Sequence, residues 1–385
     1  MLHLILGPAG SGKTTRLYEE LEHWVQGGKK AILLVPEQYS FESEKALYRR
    51  LGPTGAARVE VLSFTRLCDR IFREYGGLAV NALTDTGKAM LMSLALGEVR
   101  DTLQIYARQV GSAAFVESLC AAVSEFKNGG VSPEELAAAA RESGDAQLRE
   151  KAAELSTIYE VYNALLESRY TDTADDLQRA CRLVEDHPFF AGYGVFVDSF
   201  MTFMASEFRM LELAIGGAPH CTCAFCCDGM ADQEGGNGVF STAKKAIARL
   251  IRAARQSGVG VAVPEVLEGS HRFQNEELSC LERSFLRPRV IPCPGTSQWV
   301  QVSAAPSPWE EIQWVAANIV GLVREEGYRY SDVAVICRSL ERYRTPVERI
   351  FTRYDIPCFF DRRVELESKP LTALLLSALE AVRGN

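Results

Sequence analysis

The chain has 385 residues, 47% of them hydrophobic and 24% charged, with a formal net charge of -8. That length exceeds one compact core and predicts two or three domains. The net charge excludes a generally basic surface, so any contact with nucleic acid has to be made by a local patch. No apolar run reaches the ~18 residues needed to cross a bilayer, and the first residues carry no secretory signal, which points to the cytoplasm. The 11 cysteines are odd in number and scattered, as expected of reduced thiols rather than of a disulfide framework.

In chain order, residues 2–6 form a short apolar run that predicts a buried strand. The segment G-P-A-G-S-G-K-T follows at 7–14. A helix is predicted over 13–26, with Leu17, Leu21, Trp24 and Val25 on one face and Gly27-Gly28 as its stop. Strands are predicted at 30–36 and 58–62, and helices at 40–50 and 65–75. This alternation predicts an α/β fold with a parallel sheet and helices on both faces. From about 84 to 186 almost everything reads as helix, broken at 128–130 and 143–144. Strand signals return at 195–198 and 221–227. The stretch 258–308 is rich in Gly, Pro and Ser and reads as a crossing to another domain. A helix at 310–326, a strand at 333–337 and a final long helix follow. These are too few elements to close a second sheet, so the natural protein is expected to be longer.

The glycine loop carries the strongest chemical signal. Gly7, Gly10 and Gly12 allow backbone N–H groups to converge on phosphate oxygens, Lys13 adds a point charge, and the Thr14 hydroxyl can ligate Mg²⁺. With Pro8, Ala9, Ser11 and Thr15 they form a nucleotide cradle at a helix N-terminus. The bland alternative is a Gly-rich turn that happens to precede Lys-Thr. A nucleotide hydrolase also needs an acidic residue at a neighbouring strand end. Asp198 closes such a run and is the candidate Mg²⁺ ligand, or else a simple strand-end cap. Ser199 follows, where an ATPase of this layout usually places the Glu that activates water, and Glu207 lies too far along a helix to replace it. This pattern predicts binding of ATP without efficient hydrolysis.

Cys221, Cys223, Cys226 and Cys227 lie beside His220 and invite a metal reading. Their segment has no Gly or Pro, however, and reads as one buried strand in which thiols pack as small hydrophobes. Two loops at strand ends, 37–41 and 63–66, interleave polar Gln38, Ser40 and Arg66 with Tyr39, Phe41 and Phe64. Loops at the carboxyl ends of strands line the crevice of an open sheet. These residues can bind phosphates and stack bases, or they can be ordinary caps and core.

Taken together, the loop at 7–14, S-F-T-R-L after the third strand, the helical insert before Asp198 and A-V-I-C-R-S at 334–339 resemble superfamily 1 helicases of the UvrD type. The segments L-V-P-E-Q-Y-S-F (34–41), E-V-L-S-F-T-R-L (60–67), E-F-K-N-G-G-V-S-P-E-E-L (125–136) and V-D-S-F-M-T-F (197–203) most resemble the AddB family, the B subunits of bacterial ATP-dependent helicase/deoxyribonucleases. The resemblance implies a RecA-like P-loop domain at 1–85 and 190–297, interrupted by a helical subdomain at 86–189, with a second RecA-like domain opening at 298–385. It implies an AddA-type helicase/nuclease partner in a heterodimer, and contact with single-stranded and double-stranded DNA. A nuclease domain and its iron-sulfur ligands would lie beyond residue 385. Family members use this fold to hold DNA and recognise the Chi regulatory sequence, and Gln38, Ser40, Phe64 and Arg66 fall where they contact the single strand. Asp69 stands where an aromatic contact can occur, so the recognised sequence can differ. Ser199, with no clear sensor motif around Asp228, implies a degenerate motor. The rival reading is a free-standing P-loop kinase or small ATPase, which the hundred-residue insert and unfinished second domain disfavour.

Overall fold

A computed structural model describes the chain except residues 79–82, 168–169, 171, 173–174, 232–237, 274, 285–291, 294–296, 361–368 and 384–385. It divides into two compact units, Met1–Cys293 and Pro294–Asn385.

The first unit is built on a six-stranded, wholly parallel sheet of order β3-β2-β4-β5-β1-β6. The strands are β1 (Leu2–Gly7), β2 (Lys30–Leu34), β3 (Val59–Leu62), β4 (Tyr193–Val197), β5 (His220–Cys226) and β6 (Glu265–Val266). β1, β2, β4 and β5 read as largely apolar runs because both faces are covered, as parallel sheets require. Side chains alternate between two cores. Ile5, Leu33, Phe196 and Ala224 point to the side holding α1 (Lys13–Gln26) and α2 (Ser40–Ala56). Leu4, Leu6, Ile32, Val195 and Phe225 point to the side holding α3 (Phe64–Tyr75), α8 (Asp176–Asp186), α9 (Ala205–Gly217) and α10 (Ser241–Gln256). Apart from Ala224, each such side chain contributes about 1.5–3 kcal/mol on full burial.

The predicted bounds of α1 agree with the structure residue for residue, and Gly27 is the C-cap. Leu17, Leu21 and Val25 are buried, joined by Tyr18, while Trp24 is only partly buried against the same core. In α2 the helical hydrogen bonding resumes after a break at Gly52, whose φ of 66° lies in the left-handed region. Between β3 and β4 come α4 (Asp85–Val99), α5 (Ala113–Gly129), α6 (Pro133–Glu142) and α7 (Ala146–Glu167). Leu96, Val99, Leu119, Val123, Ile158 and Tyr162 give α4, α5 and α7 a core separate from that of the sheet. Lys88 and Lys127 bind the buried Asp172 at 2.6 and 3.3 Å, and Lys127 also binds Asp175 at 2.6 Å. Residues of α8 and the following turn, including Cys181, Val184 and Phe190, pack in the core of the sheet instead.

Two expectations are corrected. The stretch 258–308 is not simply a crossing, because it supplies the edge strand β6, paired with Ile5 and Leu6, and the helix α11 (Glu276–Ser284). A two-residue strand held by backbone bonds leaves no side-chain period to read. The second unit contains α12 (Pro308–Glu325), α13 (Leu340–Arg353) and α14 (Pro370–Arg383), with a core of Ile312, Ala316, Ile319, Val347, Ile350 and Phe351. Residues 333–337, expected as a strand, belong to no ladder among the described residues, and Ile336 is 94% exposed. An apolar run becomes a strand only when a neighbour accepts its backbone bonds.

A phosphate cradle and a strand-end rim as candidate functional site

The glycine loop leaves β1 at Gly7 and enters α1 at Lys13. Gly10 and Gly12 have φ of 79° and 89°, a conformation that costs other residues about 1–2 kcal/mol each. Gly7 serves differently. A Cβ there would lie 2.3 Å from Ser11 Oγ and 2.9 Å from the Leu267 carbonyl, so its absence lets the loop close. Ser11 Oγ is buried and has no hydrogen-bond partner among the described residues. Lys13 Nζ donates to the Pro8 carbonyl at 2.7 Å, across the mouth of its own loop. Burial lowers the Lys13 pKa, against the opposing influence of Cys226 and Asp198.

Asp198 follows β4, and β5 lies between that strand and β1. The strand carrying the acid is therefore not the immediate neighbour of β1, which with the glycine loop and α1 makes up the Walker motif, yet the residues meet. Thr14 Oγ1 donates to Asp198 Oδ2 at 2.7 Å. The other oxygen, Oδ1, accepts the Ser199 N–H at 2.8 Å. Ser199 holds φ of 67° to present that N–H, a left-handed conformation unusual for serine and typical of functional turns. Asp198 is 4% exposed. Burial raises its pKa, opposed by the bonds from Thr14 and Ser199. Glu207 caps the N-terminus of α9 through the Met204 N–H at 2.7 Å and is not part of this group.

Sequence reasoning missed the cover of the cradle. After β6 the chain runs over the glycine loop: the His271 N–H donates to the Gly10 carbonyl at 2.8 Å, and Ser270 Oγ to the Ala9 carbonyl at 3.3 Å. A Cβ on Gly10 would lie 2.6 Å from both Arg272 Cβ and Ser270 Oγ. The Arg272 charge acts on Lys13 and further lowers its pKa. No local pattern marks this cover, because the strand before it is only Glu265–Val266 and its partners lie at the other end of the unit's sequence. The donors, the oxygens of Thr14 and Asp198 and the adjacent guanidinium make a set that can hold an Mg²⁺-nucleotide. The metal would supply charge neutralisation on the phosphates, while Lys13 and the loop N–H groups position them.

A second group of residues follows β2, β3 and β4, which are adjacent in the sheet. Gln38 is exposed in a short 3-10 turn. Ser40 opens α2 and is 6% exposed, with a buried hydroxyl that has no partner among the described residues. Arg66 is exposed and pairs with Glu44 at 2.9 Å. Tyr39 and Phe41 are 48% and 69% exposed. Phe64 departs from the expectation of a stacking surface: it is 7% exposed and packs edge-on against Phe200 at 5.5 Å and Phe203 at 6.3 Å. It follows Ser63, which caps α3 through the Arg66 N–H, and that cap turns the ring inward. The β4–α9 loop, overlooked in the sequence, adds the exposed Met201 and Met204 to this rim, 78% and 54% accessible.

Comparison with known proteins is decisive. The family model described as ADDB, N-terminal matches residues 4–282. The chain belongs to the AddB family. It is similar to the B subunit of the ATP-dependent helicase/deoxyribonuclease of Acetivibrio thermocellus, 31% identical over 98% of this chain and 34% of that protein. The B subunits of the same name from Desulforudis audaxviator and Caldanaerobacter subterraneus are 34% and 32% identical over 100% of this chain, again covering 34% of each relative. The chain thus spans about a third of the length of the AddB relatives it matches.

Two further clusters in this AddB chain serve the fold. Cys221 and Cys223 lie in the core of the sheet with sulfurs 4.0 Å apart, and their hydrogen bond and burial push the Cys223 thiol well up. Among the described residues no group of His, Cys, Asp and Glu is arranged to hold a metal ion. Beneath the sheet, Glu20 of α1 accepts from His3 at 2.8 Å, His220 at 2.7 Å and Thr222 at 3.0 Å. Arg16 of the same helix binds Glu265 of β6 at 2.9 Å. These contacts fix the Walker helix to three strands. Residues 232 and 233, at the end of the stretch after β5 where a sensor motif is not evident in the sequence, lie outside the described residues. No described helix is long and apolar enough to cross a membrane.

Proposed function

We propose that the chain is the helicase-like N-terminal region of the B subunit of an ATP-dependent helicase/deoxyribonuclease, acting with an AddA-type partner on double-strand breaks in the cytoplasm. In this reading the first RecA-like domain is residues 1–85 and 190–297, the insert is 86–189, and a second RecA-like domain opens at 298. The region binds Mg²⁺-ATP through Gly10, Gly12, Lys13 and Thr14, with Asp198 beside the metal. The observation that carries the proposal is the Thr14–Asp198 hydrogen bond of 2.7 Å at the mouth of a glycine loop, followed by Ser199 rather than a carboxylate.

The motor is degenerate. Ser199 cannot orient a water as a Glu does, and Glu207 is occupied at a helix cap. The exposed Gln38 and Arg66 of the strand-end rim instead hold single-stranded DNA and read the Chi regulatory sequence, with the buried Ser40 and Phe64 supporting the rim from below. Membership of the AddB family removes the support for a free-standing kinase. The test is ATP turnover with and without single-stranded DNA. Bound ATP with no DNA-stimulated turnover supports the degenerate motor, and a rate rising strongly on adding DNA refutes it.

A further inference from the structure

Helix α10 carries Lys244, Lys245, Arg249, Arg252 and Arg255 and no acidic residue, in a chain with 50 acidic residues against 42 basic ones. Its buried residues, Ala243, Ala246, Ile247, Leu250, Ala253 and Ala254, define an inner direction. With 3.6 residues per turn, all five cations fall within about 80° of the opposite, outward direction. Lys244 is paired with Asp228 at 2.8 Å, and Arg249 with Glu212 at 3.2 Å. Lys245, Arg252 and Arg255 are exposed and have no ion pair among the described residues. They span about 15 Å along the axis.

A solvated helix usually gains from oppositely charged neighbours four positions apart. Here Lys245 faces Arg249, Arg252 lies between Ala248 and Gln256, and Arg255 follows Arg252 by three. Like charges at these spacings cost a few tenths of a kcal/mol per pair. An anionic partner removes that repulsion. The face presents mainly long cationic side chains, with the exposed amide of Gln256 at its C-terminal end.

We propose that the outer face of α10 is a docking surface for the phosphate backbone of nucleic acid. This rests on the reading of the chain as a DNA-holding region, and it adds a sequence-independent contact to the rim. The helix sits between β5 and β6 in the chain, whereas the rim follows β2, β3 and β4. Three free cations release about 0.7 counterions each from a single strand and 0.9 from a duplex.

The test compares the 385-residue chain with its Lys245→Gln/Arg252→Gln/Arg255→Gln variant. Fluorescence anisotropy is read on a labelled duplex and a labelled single strand of the same sequence, over roughly 50 to 300 mM salt. The variant should keep its melting temperature and bind all sequences more weakly, with the slope of log K against log salt reduced by about 2 to 3. A slope change with only one of the two DNAs identifies which form rests on α10. An unchanged slope on both, with wild type binding normally, overturns this surface and leaves the DNA-holding reading intact. Wild type that binds neither DNA overturns both. A variant with unchanged slopes that loses association with the partner subunit assigns α10 to an acidic protein surface and also overturns the proposal.

Discussion

Replacing Phe64 by alanine deletes a ring that is 7% exposed and is wedged against Phe200 and Phe203 in the larger core of the sheet. Truncation of a buried Phe costs about 3–5 kcal/mol, including its edge-on aromatic contacts. In a unit of this size each kcal/mol lowers the melting temperature by roughly 2 °C, so a drop of about 6–10 °C is expected. Arg66→Ala is the contrasting change. Its partner Glu44 is as exposed as Arg66 itself, 45% against 44%, and such a surface pair contributes at most about 1 kcal/mol. Thermal melts followed by circular dichroism should therefore separate the two variants clearly. Binding to DNA with and without the regulatory sequence should show the reverse order at equal folded fraction, with Arg66→Ala losing about 1–3 kcal/mol of discrimination. A Phe64→Ala protein that melts with wild type yet loses discrimination would refute the argument, because the ring would then be a stacking surface rather than support.

Gly10→Ala should loosen the cover formed by residues 269–272, since the new Cβ meets Arg272 and Ser270 at 2.6 Å; faster limited proteolysis in that segment checks it, and an unchanged cleavage rate contradicts it. Asp198→Asn leaves Thr14 a hydrogen-bond acceptor but removes the charge suited to a metal, so ATP affinity should fall in Mg²⁺ and change little in EDTA; equal loss in both would make Asp198 a structural cap. Stability should also depend on pH through the contacts of Glu20. The hydrogen bond to Glu20 raises the His3 pKa above its ordinary 6.5 despite burial. That contribution is complete below 6.5 and is lost as pH rises through the folded value. For Glu20, burial acts upward but the bonds from His220 and His3 outweigh it, holding the carboxylate well below its usual 4.5. Its contribution is complete above 4.5 and lost as pH falls. Urea melts should place greatest stability from this pair between about pH 4.5 and 6.5, and His3→Gln should flatten the alkaline decline. An alkaline limb identical in wild type and variant would contradict the assignment.

The parallel sheet and its Walker helix were legible because their signals are local. β1, β2, β4 and β5 are continuous apolar runs, and α1 has both a period and a glycine stop. Lys13, Thr14 and Asp198 were legible because loop chemistry and a strand-end acid follow short patterns. Other features depend on distant partners. β6 exists only because Ile5 and Leu6 accept its pairing, and 333–337 lacks such a neighbour among the described residues. The cover of Ser270, His271 and Arg272 lies some 260 residues from the loop it touches, with no spacing that could link them. Phe64 was ambiguous for the same reason, since an aromatic after a strand faces outward or inward according to a cap and to rings more than a hundred residues away.

The most direct test of the central claim is calorimetric titration of Mg²⁺-ATP into the wild-type chain and into Lys13→Ala. Lys13 Nζ donates to the Pro8 carbonyl of its own loop, and in the complex it would supply the charge on the β/γ-phosphates. The account predicts measurable binding to wild type and at least tenfold weaker binding to the variant, about 1.4 kcal/mol, with unchanged melting in the absence of nucleotide. Equal affinity in the two proteins, or no heat of binding in either, would contradict it.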